Sequence, residues 1–238
     1  MDKGKSNELL KSEEALWRHR YEAFVRLYKG RNDVIAEWRD TKYFTVQGAG
    51  LTFERFFDHV QLKKRYAIYN KDDVGSVCFG LFDVDVLPRN QGWEKLLPSM
   101  DEKKRETALI MQTLFDMGLD RRNILVEFPT VGFHLFIFFH KPVPAKALKT
   151  LMRFVLKRSG LEQIPFYPRK VEETPWGDRV QLPLRVNVNT SRRSNFVRDL
   201  ESFDPENYND EPGFALLEEI SLIGPEWLRS VMDKYDLN

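Results

Sequence analysis

Phe79-Gly-Leu-Phe-Asp83-Val-Asp85 decides the fold, because in this stretch an apolar strand ends in two carboxylates. Residues 77–81 are apolar or small, as a buried strand requires. Side chains alternate faces along a strand, so Asp83 and Asp85 point the same way while Val84 packs into the core. Two such carboxylates repel each other unless a cation lies between them. The stretch is therefore either a divalent-metal site or a strand that runs into an acidic, solvated turn.

Composition limits the classes of protein to consider. The chain has 238 residues, 42% of them hydrophobic, enough for one large domain or one domain of two lobes. The net charge of +1 indicates no partner, so any nucleic-acid surface must be local. Cys78 is the single cysteine, which excludes an internal disulfide and suits a reducing cytoplasm, and no zinc-type spacing is present. A polar start and the lack of an apolar run of ~20 residues predict no signal peptide and no membrane contact.

The residues before the acidic strand predict an N-terminal α/β lobe. Apolar residues at helical spacing indicate a helix over residues 13–28, and a second short helix is expected over residues 31–38. Strands are expected over residues 41–46 and 65–69, and Thr52 is placed to cap a helix over residues 53–60.

The residues from 77 onward alternate in a recognisable order. We expect a strand over residues 77–84, a loop over 88–98 and a helix over 101–118. Two strands should follow over 124–128 and 133–139, then a helix from Pro144 to Gly160 and a last strand over 163–167. This is the split βαβ pattern of ferredoxin-like and RNA-recognition folds, an α+β class. Its first and third strands are central antiparallel neighbours, which would bring His134 beside Asp83 and Asp85.

The remaining residues predict a strand at 179–187, a further apolar segment at Phe196, and short helices at 216–220 and 227–232. We divide the chain into an N-terminal α/β lobe (1–75), an RRM-like catalytic lobe with the metal and nucleotide site (76–200), and a C-terminal helical tail (201–238). The tail is expected to lead to further domains.

The paired acids predict a specific chemistry. Two metals about 3.5–4 Å apart, bridged by carboxylates, activate an attacking oxygen and stabilise the leaving one in phosphoryl transfer. Asp83 and Asp85 would supply ligands, and the candidates for a third acid are Glu162, Glu172, Glu173 and Asp178. His134 follows Gly132, and a histidine beside a glycine turn either donates to phosphate oxygens or bonds a backbone carbonyl.

Two further features carry functional alternatives. Bases cluster in one region and suit a triphosphate or a nucleic-acid backbone, although such a run can also be a solvated face: Arg169, Lys170, Arg179, Arg185, Arg192, Arg193 and Arg198. Residues 132–138 (GFHLFIF) partly resemble the aromatic strand with which RNA-recognition modules stack bases. Acids on the neighbouring strand would repel phosphates unless metal neutralised them, which favours metal-dependent catalysis.

The motifs together resemble the archaeo-eukaryotic primase superfamily, and most closely the primase-polymerases of conflict systems and CRISPR loci. The resemblance covers nearly the whole chain and is carried by Asp83-Val-Asp85, Gly132-Phe-His134, Ala67-Ile-Tyr69, and residues 24–38, 124–144, 166–170 and 182–196. The chain departs from the family at Arg185 and Asn187, where members often have glycine and histidine, and Pro165 falls near the position of the family's third acid.

The resemblance implies an archaeo-eukaryotic primase fold and a primase-polymerase that extends primers and makes them de novo on single-stranded DNA template from dNTPs or NTPs. It implies that Asp83 and Asp85 bind Mg²⁺ or Mn²⁺ in a two-metal site, with His134 as the third catalytic residue. The nucleotide-binding residues that it implies are Gly132, His134, Lys170, Arg185, Asn187 and Arg192. Other domains or CRISPR adaptation proteins are the protein partners it implies. The alternatives are a nuclease, a repair polymerase that cannot prime, and a non-catalytic RNA-binding module.

Overall fold

A computed structural model describes residues 3–86, 93–187, 190–209 and 213–237. The helices are α1 (Lys3–Leu27), α2 (Phe53–Val60), α3 (Trp93–Leu96), α4 (Met100–Asp116), α5 (Ala145–Arg158), α6 (Ala215–Glu219) and α7 (Pro225–Lys234). The strands are β1 (Val34–Arg39), β2 (Lys42–Gln47), β3 (Tyr66–Tyr69), β4 (Ser76–Asp85), β5 (Ile124–Phe128), β6 (Gly132–Pro144), β7 (Phe166–Tyr167), β8 (Arg179–Gln181) and β9 (Asn195–Val197). None of the helices in these ranges is long and apolar enough to cross a membrane.

The central sheet confirms the predicted α+β, RRM-like fold. Its described strands lie in the order β7-β4-β6-β5-β9, and each pairs antiparallel with its neighbours. The first and third strands of the predicted unit, β4 and β6, are the central neighbours. Their apolar runs are buried on both faces, which is why neither strand shows a simple alternation of polar and apolar residues. α4, α5 and α7 pack on one face of this sheet.

The other face of the central sheet packs against the N-terminal helices and a second sheet. Phe79, Phe136 and Phe138 are fully buried there against α1, α2 and a second sheet of strand order β2-β1-β3-β8. β8 comes from far along the chain, and its pairing with β3 adds a late strand to the sheet of N-terminal strands. Burial of these rings also removes the base-stacking surface that residues 132–138 suggested, because no base can reach them.

The predicted helix over residues 31–38 is wrong. Val34 and Ile35 are β-branched, and they begin a strand, β1, that pairs with β2 on one side and β3 on the other. The β1–β2 turn places Asp40 at φ 53°, a conformation that Asp tolerates better than most residues. Pairing on both sides outweighs the weak helical pattern of this short segment.

Other element boundaries differ from the sequence-based prediction. The strand predicted over 179–187 ends at Gln181, because Pro183 lacks an N–H and Leu184 adopts φ 68°. A single bridge between Val186 and Arg193 follows it. Of the loop predicted at 88–98, residues 93–96 form α3, and residues 88–92 lie outside the described part. The cap at Thr52 is confirmed, since its side chain accepts from the backbone N–H of Arg55.

Candidate functional site

The register of β4 and β6 brings the predicted acids and histidine together. Asp83 lies opposite His134 and Asp85 opposite Gly132, while Val84 is buried in the core. One potential ligand atom from each of Asp83, Asp85 and His134 falls within 4.8 Å of the others. Two carboxylates and an imidazole nitrogen are a donor set that suits a hard divalent cation such as Mg²⁺ or Mn²⁺. The donor chemistry therefore fits a metal site.

Gly132 permits the close approach of β6 to the end of β4. Its φ is 146°, a conformation that residues with a side chain rarely adopt. A Cβ at this position would lie 2.2 Å from the carbonyl oxygen of Val84 and 2.7 Å from Cα of Asp85. The role of Gly132 in nucleotide binding stays a prediction. Its structural role is to let β6 pair closely with the end of β4 that carries Asp85.

His134 lies between two carboxylates. Its Nε2 is 3.3 Å from Oδ1 of Asp83 and its Nδ1 is 2.8 Å from Oε2 of Glu127. Burial disfavours the charged imidazole, but Glu127 and Asp83 outweigh this and raise the pKa of His134 to about 10. Without a metal, the ring is therefore an imidazolium: its Nδ1 donates to Glu127, and its positive charge lies beside the carboxylate of Asp83.

Sequence reasoning missed Glu127. It lies on β5 opposite His134 and is only 2% exposed. A single acid within the apolar run Ile124-Leu-Val-Glu-Phe128 was the available signal, because an acid in a buried strand requires a partner. Glu127 orients the histidine from the side opposite Asp83, as a carboxylate behind a ligating histidine commonly does.

The cleft above these residues has a volume of about 260 Å³. Arg185 and Asn187, both predicted to bind nucleotide, line it. Asn187 is 5% exposed, and its side chain donates to the carbonyl oxygen of Pro129, which fixes the amide at the cleft wall. Arg179 and Tyr167 also line the cleft and extend it toward β8 and β7.

Two other predicted nucleotide-binding residues lie away from this cleft. Lys170 is exposed and lines a neighbouring depression of about 400 Å³ that shares Tyr167 and Arg179 with the cleft. The guanidinium of Arg192 donates to the carbonyl oxygens of Pro205 and Glu206, so this side chain holds a later loop. Contacts of Lys170 and Arg192 with a nucleotide stay predictions.

The four candidates for a third acid are not brought to the site. Within the described ranges, the cluster of potential ligands contains Asp83, Asp85 and His134 and none of the four. Asp178 is buried, but Oδ2 of its carboxylate accepts the backbone N–H groups of Arg169 and Lys170. The other three candidates, Glu162, Glu172 and Glu173, are exposed.

Fold and site together define an RRM-like domain with a candidate metal site on its central strands. A family model described as the archaeo-eukaryotic primase domain of TOTE conflict systems matches residues 41–230. The chain belongs to this family, within the archaeo-eukaryotic primase superfamily.

Among solved structures, the chain is similar to the archaeo-eukaryotic primase domain of the primase-polymerase from cyanophage S-2L. The two are 17% identical, the match covers 87% of this chain and 93% of that one, and the TM-score is 0.43. No curated protein sequence matches the chain.

Proposed function

We propose that the chain is a primase-polymerase that joins nucleotides on a single-stranded DNA template, both by extending primers and by starting them. The observation that carries the proposal is the convergence of Asp83, Asp85 and His134 within 4.8 Å in a cleft that is also lined by Arg185. Acids that gather a divalent cation beside a guanidinium suit a triphosphate better than a neutral substrate.

Asp83 and Asp85 would hold the metal ions, Mg²⁺ or Mn²⁺. Bound there, such ions supply charge neutralisation on a triphosphate and activation of an attacking hydroxyl. The chain's own contribution is rigidity, because β4 is held on both sides by β6 and β7. A fixed position for both carboxylates favours in-line attack at the α-phosphate, since catalysis of phosphoryl transfer consists mostly of positioning and electrostatics.

His134, Arg185 and Asn187 would hold the triphosphate from the walls of the cleft. Arg185 offers a planar fork of donors that matches phosphate oxygens, and Asn187 offers an amide already fixed by Pro129. Lys170 lies in the depression next to the cleft, where it would meet the template or the outer phosphates.

The test is DNA synthesis by the Asp83→Ala and Asp85→Ala variants, singly and together, on a primed and an unprimed single-stranded template. We expect both activities to fall at least about a thousandfold, because the loss of charge stabilisation at a reacting phosphate costs several powers of ten. Asp101→Ala, an exposed acid at the start of α4, is the matched control and should keep wild-type rates. Retained synthesis in the double variant would exclude the proposal.

The unprimed reaction also separates the two polymerase alternatives. A primase forms dinucleotides on template without a primer, whereas a gap-filling repair polymerase extends primers only. A product from the primed reaction alone would assign this chain to the repair type, and degradation of the template in a metal-dependent reaction would assign it to the nucleases.

A further inference from the structure

One face of the four-stranded sheet carries aromatic rings and an arginine on its surface. In the β1–β2 and β3–β8 registers, Trp38 lies opposite Tyr43 and Tyr69 opposite Arg179. Directly paired residues share a face, and residues two apart along a strand share it too, so these four side chains lie on one side of the sheet. Trp176, from the loop before β8, packs on Tyr69 on the same side with ring centroids 5.4 Å apart. We call these five residues the aromatic–arginine face.

The aromatic–arginine face is partly open to solvent. The opposite side of the sheet, with Ile35 and Ile68, is buried against α1 and α2. On the aromatic side, the small residues Ala36 and Ala67 form a buried cluster with Val34 and Tyr69, against which the rings of Tyr43 and Trp176 pack. Trp38, Tyr43 and Trp176 are each only half-buried, so they expose ring surface to solvent.

The face is positively charged. The guanidinium of Arg179 lies 4.6 Å from the ring centroid of Tyr43. Burial raises the pKa of Tyr43, and the positive charges of Arg185, Arg179 and Arg65 oppose that rise. Rings with exposed faces and interleaved arginines bind single strands, because bases stack on the rings and phosphates pair with the cations.

The face is continuous with the catalytic cleft. Arg179 lines the cleft that contains Asp83, and it also lines the adjoining depression together with Tyr69 and Trp176. A strand leaving the cleft past β8 would therefore cross the aromatic–arginine face next. RNA-recognition modules stack two or three bases on a four-stranded sheet of this width.

We propose that the aromatic–arginine face binds the single-stranded nucleic acid that enters or leaves the catalytic cleft, with two or three bases stacked on Trp38, Tyr43 and Trp176. The binding depends on exposed rings and on Arg179, so it requires neither metal nor nucleotide. This proposal rests on the proposed function in one respect only, which is that the bound strand is the template.

The experiment measures binding of the full chain to fluorescein-labelled 20-mers of dT and of U by anisotropy, in EDTA and without nucleotide. We expect Arg179→Ala and Trp176→Ala each to weaken binding about tenfold, the loss typical of one stacking or phosphate contact. Arg179→Ala should also lower the slope of log K against log salt by about 1, whereas Trp176→Ala should leave that slope unchanged. The two oligonucleotides show whether DNA or RNA is preferred.

The matched control is Arg158→Ala. Arg158 also lies over a tyrosine ring, 5.5 Å from the centroid of Tyr235, but it is on α5, which packs on the opposite side of the central sheet. We expect it to bind both oligonucleotides as the wild type does. Equal affinity of the wild type, Arg179→Ala and Trp176→Ala would overturn the proposal, and so would a loss of the same size in Arg158→Ala.

A second measurement does not depend on variants. Irradiation of the complex with a 5-iododeoxyuridine oligonucleotide, followed by mass spectrometry, should place cross-links on Trp38, Tyr43 or Trp176. Cross-links confined to other surfaces would overturn the proposal. That result is also the one expected if this face binds a protein and not a nucleic acid. Failure of the proposed function is seen separately, as synthesis that survives loss of Asp83 and Asp85.

Discussion

Glu127 orients His134 in the cleft that Asp83 and Asp85 line. The carboxylate is buried and 2.8 Å from Nδ1 of the imidazole, so it fixes the plane of the ring and favours its charged form. Glu127→Gln keeps the size of the side chain but removes the negative charge. We expect it to lower the rate of primer extension by about 10- to 100-fold, the range found for partners of this kind, and to raise the Mn²⁺ concentration needed for half-maximal rate.

Glu106→Gln is the control for this substitution. Glu106 is also a largely buried acid, paired with Lys103 at 2.8 Å on α4, on the far side of the central sheet. We expect it to change stability but not the metal dependence of synthesis. A Glu127→Gln variant with the wild-type rate and the wild-type metal response would show that His134 needs no orienting carboxylate.

The pairing of β4 with β6 depends on the lack of a side chain at Gly132. In Gly132→Ala, the new Cβ would meet backbone atoms of Val84 and Asp85, which cannot move without shifting the end of β4. We expect a loss of about 2–3 kcal/mol in the free energy of unfolding, together with a fall in primer extension larger than the stability loss explains. Urea unfolding and a primer-extension assay measure the two effects.

Gly75→Ala, at the other end of β4, is the matched control. Gly75 has φ 82°, so the substitution is strained, but a Cβ there would have no atom within 4 Å. It should cost about 1–2 kcal/mol through backbone strain alone and leave the rate unchanged at a temperature where the variant is folded. Equal effects of the two substitutions on synthesis would contradict a specific role for the approach at Gly132.

The central strands were predictable from sequence because their signals are local. An apolar run followed by Asp83 and Asp85, and a glycine turn followed by His134, each identify a strand and its end without knowledge of the rest of the chain. The short N-terminal elements were harder. Val34 and Ile35 form a strand because β2 and β3 lie on both sides of them, and this pairing is invisible in a window of eight residues.

The cleft is a property of the whole molecule, because it forms where the two sheets meet. Its acids come from β4, whereas Arg179 comes from β8, which pairs with β3 more than 100 residues earlier in the chain. Pairing between strands so far apart in the chain leaves no periodic signal in the sequence. The sequence therefore identifies the arginines and lysine after residue 168 but not which of them face Asp83 and Asp85. The structure separates Arg185, which lines the cleft, from Arg192, which holds the loop near Pro205.

Buried His59 makes the stability of the fold depend on pH. On α2 it accepts the backbone N–H of Tyr66 through Nδ1, and its Nε2 lies 2.9 Å from the carbonyl oxygen of Pro183, so the neutral ring donates there. Burial lowers the pKa of His59 to about 4, Arg185 adds to the shift, and Glu127 opposes it. An unfolded chain has an ordinary histidine pKa near 6.5, so between pH 6.5 and 4 it binds a proton that the native state does not.

The contribution of His59 to stability should therefore be fully present above pH 6.5 and be lost as the pH drops toward 4, an effect of about 3 kcal/mol. His59→Gln should be less stable than the wild type at pH 7.5, but the difference should shrink at lower pH, because glutamine takes up no proton. Urea unfolding at pH 7.5, 6.0, 5.0 and 4.5 measures this. His19→Gln, at an exposed site on α1, should keep the wild-type slope. The bonds to Tyr66 and Pro183 require His59 to stay neutral in the fold, so its loss should flatten the fall in the free energy of unfolding at acid pH. If that free energy falls with pH equally in His59→Gln and the wild type, another buried group controls acid stability.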